Sequence, residues 1–210
     1  MARMRFRSLL HVAGVLVVVA GVLAVVRPWT VRPLKTAAPT FDATSFIEQA
    51  WTRIIAEASR NAMDVLTARR SVAGLGRSGA PGRKSVFVKA TGTVTAIDRR
   101  SRVGLARMRV AVGPAGEVAI QIGPVIRGTA LRDATSFIRF NDFANQFEFA
   151  AVSNALHERV LRDVVGRLDL DALTGTPVTV IGATTLQAGT PADAVLDIVP
   201  IQLQIAGGAR

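Results

Sequence analysis

Val86-Phe87-Val88-Lys89-Ala90-Thr91-Gly92-Thr93-Val94-Thr95-Ala96 is the stretch on which the fold turns. Val86, Val88, Ala90, Gly92, Val94 and Ala96 alternate with Phe87, Lys89, Thr91, Thr93 and Thr95, the period of a strand with one buried face. Gly92, midway along it, favours the sharp coil that a closing sheet requires. Downstream, Ala106, Met108, Val110 and Val112 oppose Arg107 and Arg109, and Gly113-Pro114-Ala115-Gly116 turns the chain into a third strand through Val118, Ile120 and Ile122. Phe149, Val152, Leu156, Val160 and Val164 return to helical spacing, ending near Gly166. Two more β-rich segments follow, 176–186 and 195–205, the second with Pro200 marking an edge or a bulge. The order β-β-β-α-β-β predicts a mainly β domain of OB type, a five-stranded barrel with a helix between strands three and four. A sandwich or a half-open sheet carries the same order.

Upstream, Ser45 and Glu48 fit a capping box, and Ile47, Trp51, Ile54, Ala58, Ala62 and Val65 recur at helical spacing, which predicts an amphipathic helix to about Thr67. Residues 69–84, with Gly74, Gly76, Gly79, Pro81 and Gly82 among basic residues, read as a loop. Residues 27–40 hold Pro28, Pro33 and Pro39 and read as an extended linker. Before them, residues 9–26 carry no formal charge, and a helix of that length nearly spans a hydrocarbon core of about 30 Å. Arg27-Pro28-Trp29 follows in place of a small-residue cleavage site, so the run reads as a transmembrane signal-anchor. With Arg3, Arg5 and Arg7 ahead of the span, residues 1–8 are expected in the cytoplasm and residues 41–210 outside it, as a single-pass inner-membrane protein whose bulk is periplasmic.

The chain has 210 residues, half of them hydrophobic and a fifth charged, enough for one packed domain with an appendage. It has no cysteine, which excludes disulfides, thiol nucleophiles, thiolate metal sites and lipid attached through sulfur. Its net charge of +11 raises nucleic acid as a partner, but six of those charges lie in residues 1–35. Within the body, residues 60–109 hold twelve basic residues against Asp64 and Asp98, while the rest is net acidic. The basic patch of Lys89, Arg99, Arg100, Arg102, Arg107 and Arg109 has the charge to track phosphates. Barrels that hold single strands also stack bases on aromatic rings, and the strands here offer only Phe87. A solvated face is the simpler account, and nucleic acid is disfavoured.

The stretch between the third strand and the helix is compositionally the most unusual. Arg127, Arg132, Asp133, Asn141, Asp142, Asn145 and Gln146 interleave there with Phe137, Phe140, Phe143, Phe147 and Phe149. Guanidinium forks, amides and aromatic faces build sites for carboxylates, phosphates or sugars, so these seven polar residues are the ligand-binding candidates. Arg127 and Asp142 are expected to line one polar pocket. The competing account makes the rings core and the polar groups helix caps. Catalysis finds little support: there is no GxSxG, HExxH, phosphate-loop or EF-hand pattern, and His157 is the only imidazole beyond the membrane run. Asp169 and Asp171 fit a turn better than a metal pair. The expectation is a protein without cofactor or metal that is not an enzyme.

The run from Gln121 to Asp133, with Gly123-Pro124 and Arg127-Gly128-Thr129, continues through Phe137-Ile138, Phe140-Asn141-Asp142-Phe143 and Asn145-Gln146. It resembles an uncharacterised family of predicted bacterial periplasmic lipoproteins, a domain of unknown function. The likeness extends from Phe41 through the carboxyl-terminal strands, including Gly92-Thr93-Val94 and Ser101-Arg102-Val103-Gly104. Members are often encoded beside sugar ABC-transporter genes, so the resemblance implies an accessory role around carbohydrate uptake. The partners it implies are the inner membrane and ABC-transporter components or a small polar ligand. The chain departs from the lipoprotein pattern because, without cysteine, the membrane segment must replace the lipid. The expected function is a membrane-anchored periplasmic accessory or ligand-binding protein. The rivals are a polyanion-binding OB protein and an envelope enzyme.

Overall fold

A computed structural model describes residues 41–77, 82–111, 116–191 and 193–205. The expected basic tail, membrane segment and linker, residues 1–40, lie outside them. Among the described residues no helix is long and apolar enough to cross a membrane.

The leading helix α1 spans Ala43–Asn61. Its cap is Asp42 and not Ser45: the Asp42 carboxylate accepts from the backbone N–H of Thr44 and Ser45, and an acid there also meets the positive end of the helix dipole. Glu48, freed from the expected capping box, pairs across the surface with Arg159 and Arg162. Ile47, Trp51, Ile54 and Ala58 form its buried stripe. The helix does not run on to Thr67. The backbone is extended at Ala62, Met63–Asp64 form a two-residue strand β1, and Asp64 caps a new helix, α2, Val65–Ser71. The segment read as a loop therefore begins as a helix, because Val65 and Ala68 bury against the core and Arg69 donates to the Glu117 carbonyl at 2.6 Å.

Strand β2 runs Arg83–Asp98, β3 Leu105–Val110 and β4 Glu117–Gln121. A short helix α3, Ala130–Ala134, and a longer one, α4, Gln146–Asp163, precede β5, Pro177–Gln187, and β6, Leu196–Ile205. The predicted order β-β-β-α-β-β is thus present, with β1 added. Val86, Phe87 and Val88 of β2 are buried in succession, since helices pack against the strand, and Phe87 is only 3% exposed where alternation had placed it outside. Beyond Val94 the register with β3 shifts by one residue, and Ala96 turns outward.

Strand order is β1-β2-β3-β4-β6-β5, and β5 pairs in turn with β2. Each of the five long strands thus pairs with two others, and the pairings run round in a ring. The pairing of β4 with β6 is parallel, while β2–β3, β3–β4, β5–β6 and β2–β5 are antiparallel. At Gly92, β2 faces Val110 of β3 and Val178 of β5 together. A Cβ there would lie 2.0 Å from the Arg109 carbonyl oxygen, so only glycine lets the strands approach. Pro200 sits at the register shift between Ile181 and Gly182 of β5, as a bulge accommodates it. Outside the ring, α1 lies against α4, with Val152, Leu156 and Val160 contributing to the same core.

Candidate functional site

One end of the ring is polar. There β2 and β6 begin, β4 and β5 end, and the chain leaving β4 folds over a cavity of about 460 Å³. Its polar lining comprises Arg83, Gln121, Arg127, Thr184, Thr185, Gln187, Thr190 and Asp197. Gln121 is buried, and its amide oxygen accepts the Arg127 backbone N–H at 2.7 Å, which fixes the loop that carries the Arg127 side chain. The Arg127 guanidinium lies 3.6 Å from the Asp197 carboxylate, both half exposed at the mouth. Arg83 makes no ion pair among the described residues. Hydroxyls, amides and two guanidinium groups can hold a hydroxylated or anionic solute. Asp197 is the single carboxylate of the lining among the described residues, and it faces Arg127.

Of the seven sequence-predicted binding residues, Arg127 alone lines this cavity. Asp142 does not join it: its carboxylate accepts the Arg139 backbone N–H at 3.1 Å and caps a single turn, Phe140–Asp142. Arg132 lies flat over the Phe149 ring, 3.6 Å from its centre, donates to the Phe149 carbonyl and pairs with Asp133. Asp133 also accepts from the Thr129 hydroxyl at 2.5 Å. Asn145 caps α4 through the N–H groups of Phe147 and Glu148. Asn141 and Gln146 are exposed. Thr184, Thr185, Gln187, Thr190 and Asp197 went unnoticed in the sequence because they come from the β5–β6 hairpin, far along the chain. The one local signal was a pair of threonines interrupting an apolar strand.

His157 is half buried behind this loop rather than on the surface. Burial pushes its pKa down and the Arg132 charge adds to that, while a hydrogen bond to the Gly128 backbone opposes both. The basic patch is partly neutralised: Arg107 pairs with Glu117 at 2.6 Å, Arg99 with Asp171 at 2.8 Å, and Arg100 approaches Asp98 at 3.9 Å. Lys89, Arg102 and Arg109 are exposed. Asp169 forms a turn, its carboxylate accepting from Asp171 and Ala172. The segments Ser101–Gly104 and Gln121–Gly123 meet backbone to backbone. Ile122 donates to the Gly104 carbonyl, and a Cβ on Gly123 would fall 1.9 Å from the Val103 carbonyl oxygen. These glycines serve packing.

Residues 12–204 match the family described as "Predicted periplasmic lipoprotein (DUF2291)". No curated protein matches the chain. Among solved structures, an OB-fold protein from Thermotoga maritima is similar, with a TM-score of 0.59 at 15% identity, covering 79% of this chain and 98% of that one. At that identity the likeness speaks for the fold alone, and its strands support the OB order read from the pairings.

Proposed function

The chain belongs to the family of predicted periplasmic lipoproteins, and on that premise we propose that it is a tethered accessory protein which holds a small polar solute in the cavity between Arg83, Arg127 and Asp197. The ring of pairings reads as a closed OB barrel with the cavity at one end. In a chain without cysteine, the apolar run 9–26 takes the place of a lipid and makes the protein a single-pass component of the inner membrane. Its working face is then extracytoplasmic, where transport substrates are met.

The observation that carries the reading is the lining itself. A loop pinned by buried Gln121 presents Arg127 beside Asp197, in a lining shared with Thr184, Thr185 and Arg83, which makes no ion pair among the described residues. A guanidinium–carboxylate pair with flanking hydroxyls and amides offers donors and acceptors together, the complement of a polyol or an acidic sugar. The role beside sugar ABC-transport that the sequence resemblance implies makes carbohydrates the first ligands to test and a permease or solute-binding protein the expected partner. Titration calorimetry of the full chain with pentoses, hexoses and their phosphate esters tests it. Binding should be measurable for one class and fall at least about tenfold in Arg127→Ala, a loss of about 1.4 kcal/mol. Equal affinity in that variant, or no heat with any of them, removes the cavity as the site. Crosslinking in intact cells that recovers no transporter component removes the accessory role.

A further inference from the structure

Two rings stand out from an otherwise well-covered aromatic set. Phe147 is 76% exposed and Phe140 53% exposed. Phe147 faces no other ring among the described residues, although it lies in the first turn of α4, where a polar residue would serve as well. Both flank Phe143, whose ring lies 5.3 Å from Phe41 and 5.7 Å from Phe46. Phe41 is the residue through which the chain enters the described domain. Four residues of backbone reach at most about 14 Å, so Phe147 starts close to that entry point. Fourteen residues, 27–40, separate it from the apolar run along the sequence.

We infer that the Phe140–Phe147 end of the domain seats in the headgroup–acyl boundary of the bilayer, with Phe147 leading. This rests on the anchored reading above and adds an orientation to it. The surrounding charges point to apolar seating rather than attraction to anionic lipid. Asp42, Asp142 and Glu148 outnumber Arg139 there, and each of the three carboxylates is turned back onto backbone N–H groups. Exposed aromatic side chains on a helix turn are the residues that enter this boundary, whereas basic clusters would be needed for a headgroup site.

The cysteine-free chain allows one spin label to be placed at will. Gln146→Cys, exposed and next to Phe147, is labelled in the full chain and reconstituted into vesicles of phosphatidylethanolamine and phosphatidylglycerol. Arg100→Cys, at the β2–β3 turn, is the control. The label at 146 should relax several-fold more with oxygen than with a water-soluble nickel chelate, unchanged in high salt, and the label at 100 should do the reverse. Adding Phe147→Ser should bring the label at 146 back to water, with the melting temperature unaltered. Equal nickel accessibility at both positions overturns the seating. Protection from both reagents means a protein covers the turn and overturns it too. A full chain that fails to float with the vesicles overturns the anchored reading and the seating with it.

Discussion

Gly92→Ala should expose how tightly the strands close on themselves. The added Cβ would lie 2.0 Å from the Arg109 carbonyl oxygen, 2.8 Å from the Arg109 carbonyl carbon and 3.0 Å from the Val110 Cα, all backbone of the neighbouring strand. No side chain can rotate away, so β2 and β3 must separate by roughly 1 Å, against the β5 ladder on the other side. Overpacking of this kind costs about 1–3 kcal/mol, and an obstruction made wholly of backbone belongs at the upper end. Gly92 does not have a positive φ, so alanine suits the local backbone, and restricting the unfolded chain returns about 0.4–1 kcal/mol. The net expectation is a loss of about 2–3 kcal/mol. For a domain of this size that lowers Tm by about 4–12 °C. Gly74→Ala is the matched control, since nothing lies within 4 Å of a Cβ there, and its change should stay within about 0.5 kcal/mol. Calorimetric melts of both variants decide it. If they melt together, the strands do not close at Gly92 as described, and the cavity at the end of that ring loses its frame.

Arg132→Ala removes a guanidinium stacked on Phe149 and bonded to its carbonyl, and should cost about 2–3 kcal/mol by urea midpoint. Arg132→Lys should recover only part, because an ammonium cannot stack and fork together. If either left the midpoint unchanged, Arg132 would return to the ligand-binding set. His157 has a folded pKa below its ordinary 6.5 because burial penalises the imidazolium. Above pH 6.5 both states are neutral and it contributes nothing. As pH falls through 6.5 the unfolded chain takes the proton first, so stability declines until the folded pKa is passed. His157→Gln should flatten that slope, leaving the separate loss below pH 4.5 as Glu48, held low by Arg159 and Arg162, protonates. An unchanged slope would put the proton elsewhere. Single-stranded DNA should be held only weakly. Within the basic patch, with Arg99 and Arg107 paired, Lys89, Arg100, Arg102 and Arg109 are left for phosphates, so a strand held by that patch should give a plot of log affinity against log salt no steeper than about −3. A steeper line, or a preference among bases, would bring nucleic acid back.

The long strands were legible because their signal is local. Alternation from Val86 to Val94, the Gly92 interruption and the bulge at Pro200 each follow from neighbours along one strand. Where two elements compete for a residue, the sequence fell short. Ala62 and Val65 continue the α1 spacing, yet the chain breaks at Met63–Asp64, because pairing beside Val88 and Lys89 and an Asp64 cap outweigh one more helical turn. Phe87 was placed outside because nothing in β2 announces the helix that covers it. The polar, aromatic run 127–149 looked like a site for a similar reason. A guanidinium on a ring, a carboxylate on backbone N–H groups and a capping amide use the same residue types whether the partner is a ligand or the chain itself. Only Arg127 is set apart, because Gln121 diverts its backbone toward the β5–β6 hairpin.

The positions of the rings bear on how such a sheet can be used. Surfaces that hold single strands carry aromatic side chains on the strands, where successive bases stack. Here the one strand phenylalanine, Phe87, is buried, and the exposed rings, Phe140 and Phe147, belong to the segment that ties α3 and α4 to the start of α1. The strands are left to shape a polar cavity and the rings to meet whatever lies at the chain's entry. Both depend on five residues. Ala130, at the start of α3, lines the cavity, while Arg132, two positions on, lies over Phe149, which in turn packs against Phe140 and Phe143. With Ala130 and Leu131 buried in the core, α3 is a fixed spacer between the two. The aromatic end and the polar cavity are therefore held at a fixed separation within the domain, with α3 packed into the core between them.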